Sequence, residues 1–207
     1  QGHVFDIGTH IPAHTGHPAV DQLLFSNLGL QWQEVPVLKV GNVFQGALNS
    51  RSQFLDLTRL PAADYQACLT DLIGAVDTPQ PAATLEQSLH QHFGSALVQR
   101  VFAPLLARFY QAPLALLSAT SHLFLGYGRV IAGSPQVCRE LKCSPVYDSK
   151  VAFADYMEGR SAIRHVYPRE GGMGAWTTAL CEQFVARGGQ LITAADVRAV
   201  DLHAAQL

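Results

Sequence analysis

Charged side chains are scarce in this chain. Aspartate, glutamate, lysine and arginine make up 14% of its 207 residues, and the formal net charge is -2 at pH 7. The sequence contains no basic run or stripe, so it lacks the positive surface with which nucleic-acid-binding proteins meet phosphates. We therefore expect no nucleic-acid partner, and the sequence leaves the oligomeric state open.

Long apolar runs, a signal peptide and cysteine motifs are missing as well. No apolar stretch approaches the ~18 to 20 residues that a membrane-spanning helix needs. The sequence also lacks a charged segment followed by an apolar one, which is the pattern typical of a secretory signal. The four cysteines match no zinc-binding spacing. These absences predict reduced cysteines, no membrane span and a cytoplasmic protein.

The chain does have a large apolar fraction, 48%, which is enough for a substantial core. Helical patterns dominate residues 61–163, for example after Thr84, where Gln87 completes a capping box. Gly41-Asn42 lies between two strand-like runs and predicts a hairpin near residues 33–48. The expected fold class is α+β. The helical part is either a cavity for an apolar or amphipathic ligand or a plain helical core.

A glycine-rich turn lies near the C-terminal end of the chain. The β-branched and aromatic residues 165–167 predict a strand that ends at Pro168, and three of the residues 171–174 are glycines. A helix to Arg187 and a second strand at 190–193 are expected to follow. The glycines either allow a cofactor or polarised ligand to approach the first N–H groups of the helix, or allow a tight turn with close helix–sheet packing.

Histidines are concentrated near the start, where Asp6, Gly8 and His10 form the pattern Asp-x-Gly-x-His and two more histidines follow by residue 17. A metal held by Asp6 and these histidines is one interpretation. Pro12 opposes it, because it breaks the helix that would align His10 with the next histidine, and no HExxH motif is present. We predict no metal, and the segment is either an internally bonded polar loop or a loop that faces a cofactor.

Arg160 and Arg164 precede the glycine turn, and Tyr167 lies between them and that turn. Guanidinium groups bind carboxylates and phosphates, so the two arginines are candidates for substrate binding, and we group Tyr167 with them as a third candidate. The alternative for the arginines is an ordinary surface salt bridge.

Taken together, two stretches resemble the flavin-dependent oxidoreductases that include amine oxidases, phytoene desaturases and protoporphyrinogen oxidase, with UDP-galactopyranose mutase as a more distant relative. Residues 2–10 are similar to the family segment that runs along the flavin. Residues 167–174 are similar to the segment that starts the helix returning the chain from the substrate domain to the FAD domain. Between these segments the family places a short hairpin and a helical substrate-binding insertion, and residues 18–163 follow that order.

The resemblance implies a division into a partial FAD-domain segment (1–17), a substrate-binding domain (18–163) and a strand–helix–strand return to the FAD domain (164–207). It implies FAD as the cofactor and an amine, C–H or C–C bond of a small apolar or amphipathic substrate as the site of oxidation. No catalytic acid or base is assigned. The residues implied to contact FAD are Asp6, Gly8, His10, Gly171, Gly172, Met173 and Gly174.

One departure from the family is the absence of Gly-x-Gly-x-x-Gly from these residues. The chain opens at Gln1 without a methionine and ends soon after a strand-like run, so we expect both ends to be cuts through a fold. The N-terminal dinucleotide-binding motif and the C-terminal FAD segment are expected to lie outside it. We predict that the isolated chain is colourless and inactive. The alternative function is a non-catalytic helical binding module.

Overall fold

The computed structural model describes residues 6, 11–75, 80–126, 128–159 and 163–198. The chain divides into two compact units. Unit 1 comprises Gln1–Pro36 and Ala162–Leu207, and unit 2 comprises Val37–Ser161. Helices and short paired strands occur together, which confirms the predicted α+β class. Residues 18–36 belong to unit 1, although the prediction grouped them with the helical domain; the functional division itself stays a prediction.

The regular elements of the described residues are short. The α-helices are α1 (Pro18–Asp21), α2 (Ala62–Gly74), α3 (Leu85–Phe93), α4 (Ser95–Leu97), α5 (Ala103–Tyr110), α6 (Pro135–Lys142), α7 (Pro145–Asp148) and α8 (Gly172–Ala186). The strands are β1 (Trp32–Val35), β2 (Asn42–Phe44), β3 (Ala47–Asn49), β4 (Leu55–Asp56), β5 (Val130–Ile131) and β6 (His165–Pro168). None of the described helices combines the length and the apolar character needed to cross a membrane.

Unit 1 is built around β6. Antiparallel pairing with β1 sets Trp32 opposite Pro168, and a bridge between Ala13 and His165 covers the other edge. Val166 is buried on this strand. The first helical turn, α1, continues as a π-helical turn over Gln22–Ser26, and α8 follows β6 directly. The two segments of unit 1 are therefore joined through a central strand.

Unit 2 contains a continuous apolar core. Helices α2, α3 and α5 contribute buried side chains such as Leu72, Leu89 and Leu106. The start of α3 is capped as the sequence predicted: Thr84 Oγ1 accepts the Gln87 N–H at 3.3 Å. The Gln87 side chain in return accepts from the backbone N–H of Ala83 at 3.0 Å. Strands β4 and β5 pair in parallel beside these helices.

The hairpin exists, but its predicted position is wrong. The structure forms it from β2 and β3, and the turn is Gln45-Gly46, with φ of 51° and 73°. Two consecutive positive φ angles match the twist of paired strands. Gly41 is packed instead, since a Cβ there would lie 2.5 Å from the Asn49 carbonyl oxygen. The first of the two strand-like runs, before Gly41, forms only the short strand β1, which pairs with β6.

Two local structures depart from the sequence patterns. Residues 114–125 lie in the part of the chain where helical patterns dominate, yet they form two 3-10 turns, Leu114–Leu116 and Ser121–Leu125. Leu116 is 78% exposed, so this apolar stretch is not buried on all sides. Residues 190–193 form no strand, because a strand requires a pairing neighbour and the described part of the chain offers them none.

Candidate functional site

The turn between β6 and α8 has a left-handed backbone. Gly171, the N-cap of α8, has φ of 73°, and Gly172 has φ of 60°. Glycine adopts these angles at little cost, whereas a side chain would strain them. At Gly171 an added Cβ would also lie 2.9 Å from the Ala175 Cβ. The glycines thus allow the chain to enter α8 immediately after β6.

Among the described residues, the carboxylate of Asp6 approaches this turn most closely. A Cβ on Gly172 would lie 2.7 Å from Asp6 Oδ1, so the carboxylate occupies the space that a side chain would take. Oδ1 accepts the N–H of Met173 at 3.1 Å, and Tyr167 donates its O–H to Oδ2. A carboxylate at a helix N-terminus is also favoured by the helix dipole. Asp6 therefore links the end of β6 to the start of α8.

The contact with Asp6 changes the acidity of Tyr167. The hydrogen bond to the Asp6 carboxylate raises the pKa of this phenol, and partial burial and the negative charge of Asp6 act in the same direction. Tyr167 consequently stays protonated at neutral pH and serves as a donor. We see no reason in this geometry for Tyr167 to act as a base.

The structure thus brings together Asp6, Tyr167, Gly172 and Met173, which come from the two segments that resemble flavin-contacting ones. Gly8, His10 and Arg160 lie outside the described residues. Gly174 lies in the first turn of α8, where an added Cβ would meet no atom within 4 Å. Contact of these residues with a flavin stays a prediction.

Arg164 pairs with the Glu34 carboxylate across the β1–β6 ladder. Both side chains are 64% exposed, so this is a surface ion pair with a small contribution to stability. The geometry agrees with the salt-bridge alternative. A role in substrate binding would require Arg164 to leave Glu34, and that role stays a prediction.

An aromatic cluster, which the sequence analysis missed, holds α8 in place. The rings of Phe25 and Trp176 stack with centroids 5.6 Å apart, and Trp32 meets Phe25 edge-on at 5.3 Å. The Trp176 indole N–H donates to the Leu24 carbonyl at 2.7 Å. The chain has two tryptophans, and their rarity together with their positions beside strand and turn was the available signal.

The histidine segment behaves as a polar loop where it is described. His14 Nδ1 lies 3.4 Å from Asp21 Oδ2, and the His14 ring packs on Phe25 with centroids 4.7 Å apart. Backbone hydrogen bonding from Thr15 lowers the pKa of Asp21. Among the described residues no three histidine, cysteine or acidic side chains are grouped as metal ligands.

The turn fits one part of FAD better than another. The face beside Gly174 is open, so a flat uncharged ring can approach the backbone there. At Gly172 the Asp6 carboxylate already fills the space and accepts the Met173 N–H. An anionic pyrophosphate next to that carboxylate would be repelled. The described residues therefore fit contact with the ring system and not with the phosphates.

Comparison with known proteins finds a likeness in fold. No family model and no curated protein matches the chain. Among solved structures, the crystal structure of reduced UDP-galactopyranose mutase is similar, with a TM-score of 0.53 and 18% identity. The match covers 86% of this chain and 36% of that one. At this identity the likeness shows the fold alone. The chain spans about a third of the length of that protein.

Proposed function

We propose that this chain is the central part of a flavin-dependent oxidoreductase that oxidises an amine, C–H or C–C bond of a small apolar or amphipathic substrate. The observation that supports the proposal is the meeting of Asp6 with Tyr167 and Gly172. Those residues belong to two distant segments that each resemble a flavin-contacting segment. The likeness in fold to UDP-galactopyranose mutase agrees with this assignment.

When bound, FAD would supply the hydride acceptor for the oxidation. The residues of the turn would hold it through the backbone of Met173 and Gly174. Asp6 and Tyr167 would keep that backbone in position, because their hydrogen bonds tie the preceding strand to the helix. We assign no acid or base, since the proton at Tyr167 is held more tightly than usual. Gly8, His10 and Gly171 complete the proposed cofactor contacts, and Arg160, Arg164 and Tyr167 the substrate contacts.

The experiment compares flavin content in variants of the intact gene product that contains these residues. Oxidised flavin absorbs near about 450 nm, which reports bound FAD per protein after gel filtration. Gly174→Val places a branched side chain on the open face and is expected to reduce bound FAD severalfold. Thr178→Val is the control, because it places the same side chain at an exposed position of the same helix without changing the bulk there.

Absence of flavin from the intact gene product would refute the proposal. Equal flavin content in Gly174→Val, Thr178→Val and the parent protein would refute the placement at Gly174. For the isolated 207 residues we expect colourless protein, since they contain no Gly-x-Gly-x-x-Gly turn for the pyrophosphate.

A second candidate is a cofactor-free helical binding module. The continuous buried core of unit 2 favours it, because this unit contains its own apolar cluster from Leu55 to Ala152. Colourless intact gene product that nevertheless binds a small molecule would support this candidate over the flavoenzyme.

A further inference from the structure

Unit 2 contains a cavity whose described lining includes none of the residues proposed to contact the flavin or the substrate. Its volume is about 680 Å³, within the roughly 300–1,000 Å³ range of small-molecule sites. Its wall includes residues of α3 and of the chain on both sides of Gly126. Polar residues of the wall include Gln53, Ser88, Gln91, Thr120, His122 and Arg129.

His122 is the most deeply enclosed polar side chain of this wall. It is 6% exposed, and its Nδ1 has no hydrogen-bond partner among the described residues. Burial lowers the pKa of His122, with a further contribution from His92, while the Ala119 backbone opposes the shift. The imidazole is therefore neutral at pH 7 and has one donor and one acceptor nitrogen. Buried polar groups are normally satisfied, so this ring indicates a missing partner.

The charges of the wall restrict what that partner is. Among the described lining residues, none is aspartate or glutamate, and Arg129 has the permanent positive charge. Arg129 Nε donates to the Asp148 carbonyl at 2.9 Å, which anchors the guanidinium group at the cavity. The amides and hydroxyls of the wall both donate and accept hydrogen bonds. The set favours a ligand with an anionic group and further polar atoms.

We propose that this cavity binds a small organic anion whose carboxylate or phosphate group lies at Arg129 and whose polar body reaches His122. The site lies within unit 2 and does not depend on flavin binding. A carboxylate and a phosphate share the chemistry that a guanidinium group recognises, so the test has one arm for each.

The test is an NMR titration of the chain, observing the ring nitrogen signals of His122 assigned with His122→Gln. The probes are citrate in one arm and inorganic phosphate in the other, with sodium chloride at matched ionic strength as reference. We expect a saturable shift of the His122 signals with at least one probe. Arg129→Gln is expected to lower the affinity for that probe about tenfold or more, since a charge-assisted hydrogen bond is lost.

Arg108→Gln is the matched control, because it removes the same charge from an exposed residue of unit 2 that does not line the cavity. It is expected to leave the affinity unchanged. A linear response no larger than that to chloride in both arms would overturn the proposal. Equal weakening by Arg108→Gln and Arg129→Gln would do so too. The wild-type ring signals keep the test decisive if His122→Gln does not fold.

Discussion

In unit 2 a cluster of buried apolar side chains extends from Leu55 to Ala152, whereas in the described part of unit 1 only Phe25, Val166 and Pro168 are buried. Unit 2 thus gains stability mainly from apolar area removed from water. Unit 1 depends on a few directional contacts, which include the Asp6 carboxylate at the glycine turn. We therefore expect mutations in unit 2 to destabilise mainly through lost packing, and mutations in unit 1 through single lost contacts or backbone strain.

The largest effect is expected from Phe102→Ala in the core of unit 2. Phe102 is fully buried, and its ring lies 4.5 Å from that of Phe93, between centroids. Removing it should lower the free energy of unfolding by about 3–5 kcal/mol, measured by urea denaturation. Phe109→Ala is the control, because Phe109 is 60% exposed. Similar losses in both variants would contradict the assignment of unit 2 stability to its core.

A smaller loss is expected from Gly172→Ala in unit 1. The new Cβ would lie 2.7 Å from Asp6 Oδ1 at a φ of +60°. Strain of this kind costs about 1–3 kcal/mol, measured by the same denaturation. Gly174→Ala should be neutral or stabilising, because nothing lies within 4 Å of its added Cβ and alanine favours helix. If the two alanines destabilised the chain equally, the close approach of Asp6 would not be the cause.

The smallest effect concerns the acidity of Tyr167. Its hydrogen bond to the Asp6 carboxylate raises the pKa of this phenol, so the stabilisation from the pair is complete below the ordinary tyrosine pKa. It is lost as the pH rises through the raised pKa of Tyr167. Asp6→Asn should return that pKa toward its ordinary value, observed as tyrosinate absorbance during a pH titration.

Assignment of that signal needs a reference, because the chain contains six tyrosines. Tyr167→Phe should remove the contribution of this phenol from the wild-type curve, which identifies its titration step. If the Asp6→Asn and wild-type curves coincided, the contact between Asp6 and Tyr167 would not control this acidity, and unit 1 would lack the directional contact attributed to it.

Local patterns predicted several elements of both units. Thr84 and Gln87 cap α3 as their spacing indicates, and the glycines before residue 175 start α8. The position of the hairpin was wrong because Gln45 adopts a positive φ. Glutamine rarely does so, and Gly41-Asn42 has the stronger hairpin sequence. The turn preference of a dipeptide such as Gly41-Asn42 is an average over many proteins. In this chain the pairing of β2 with β3 decided the position of the turn instead.

The same limit applies to the candidate site. Local sequence indicated that something approaches the turn at Gly172, since a glycine after a strand permits it. It did not indicate that Asp6, more than 160 positions earlier in the chain, is that group. Trp176 and Phe25 were missed for the same reason, because their stacking joins residues far apart in the chain.

The cap of α3 and the glycine turn that starts α8 could be predicted from the sequence, because each depends on interactions between residues a few positions apart. The limits of other helices, the carboxylate that lies at the turn, the pairing of the strands and the histidine enclosed beside the cavity followed from the tertiary structure. Those outcomes depend on burial and on contacts between distant segments, which arise when the whole chain packs.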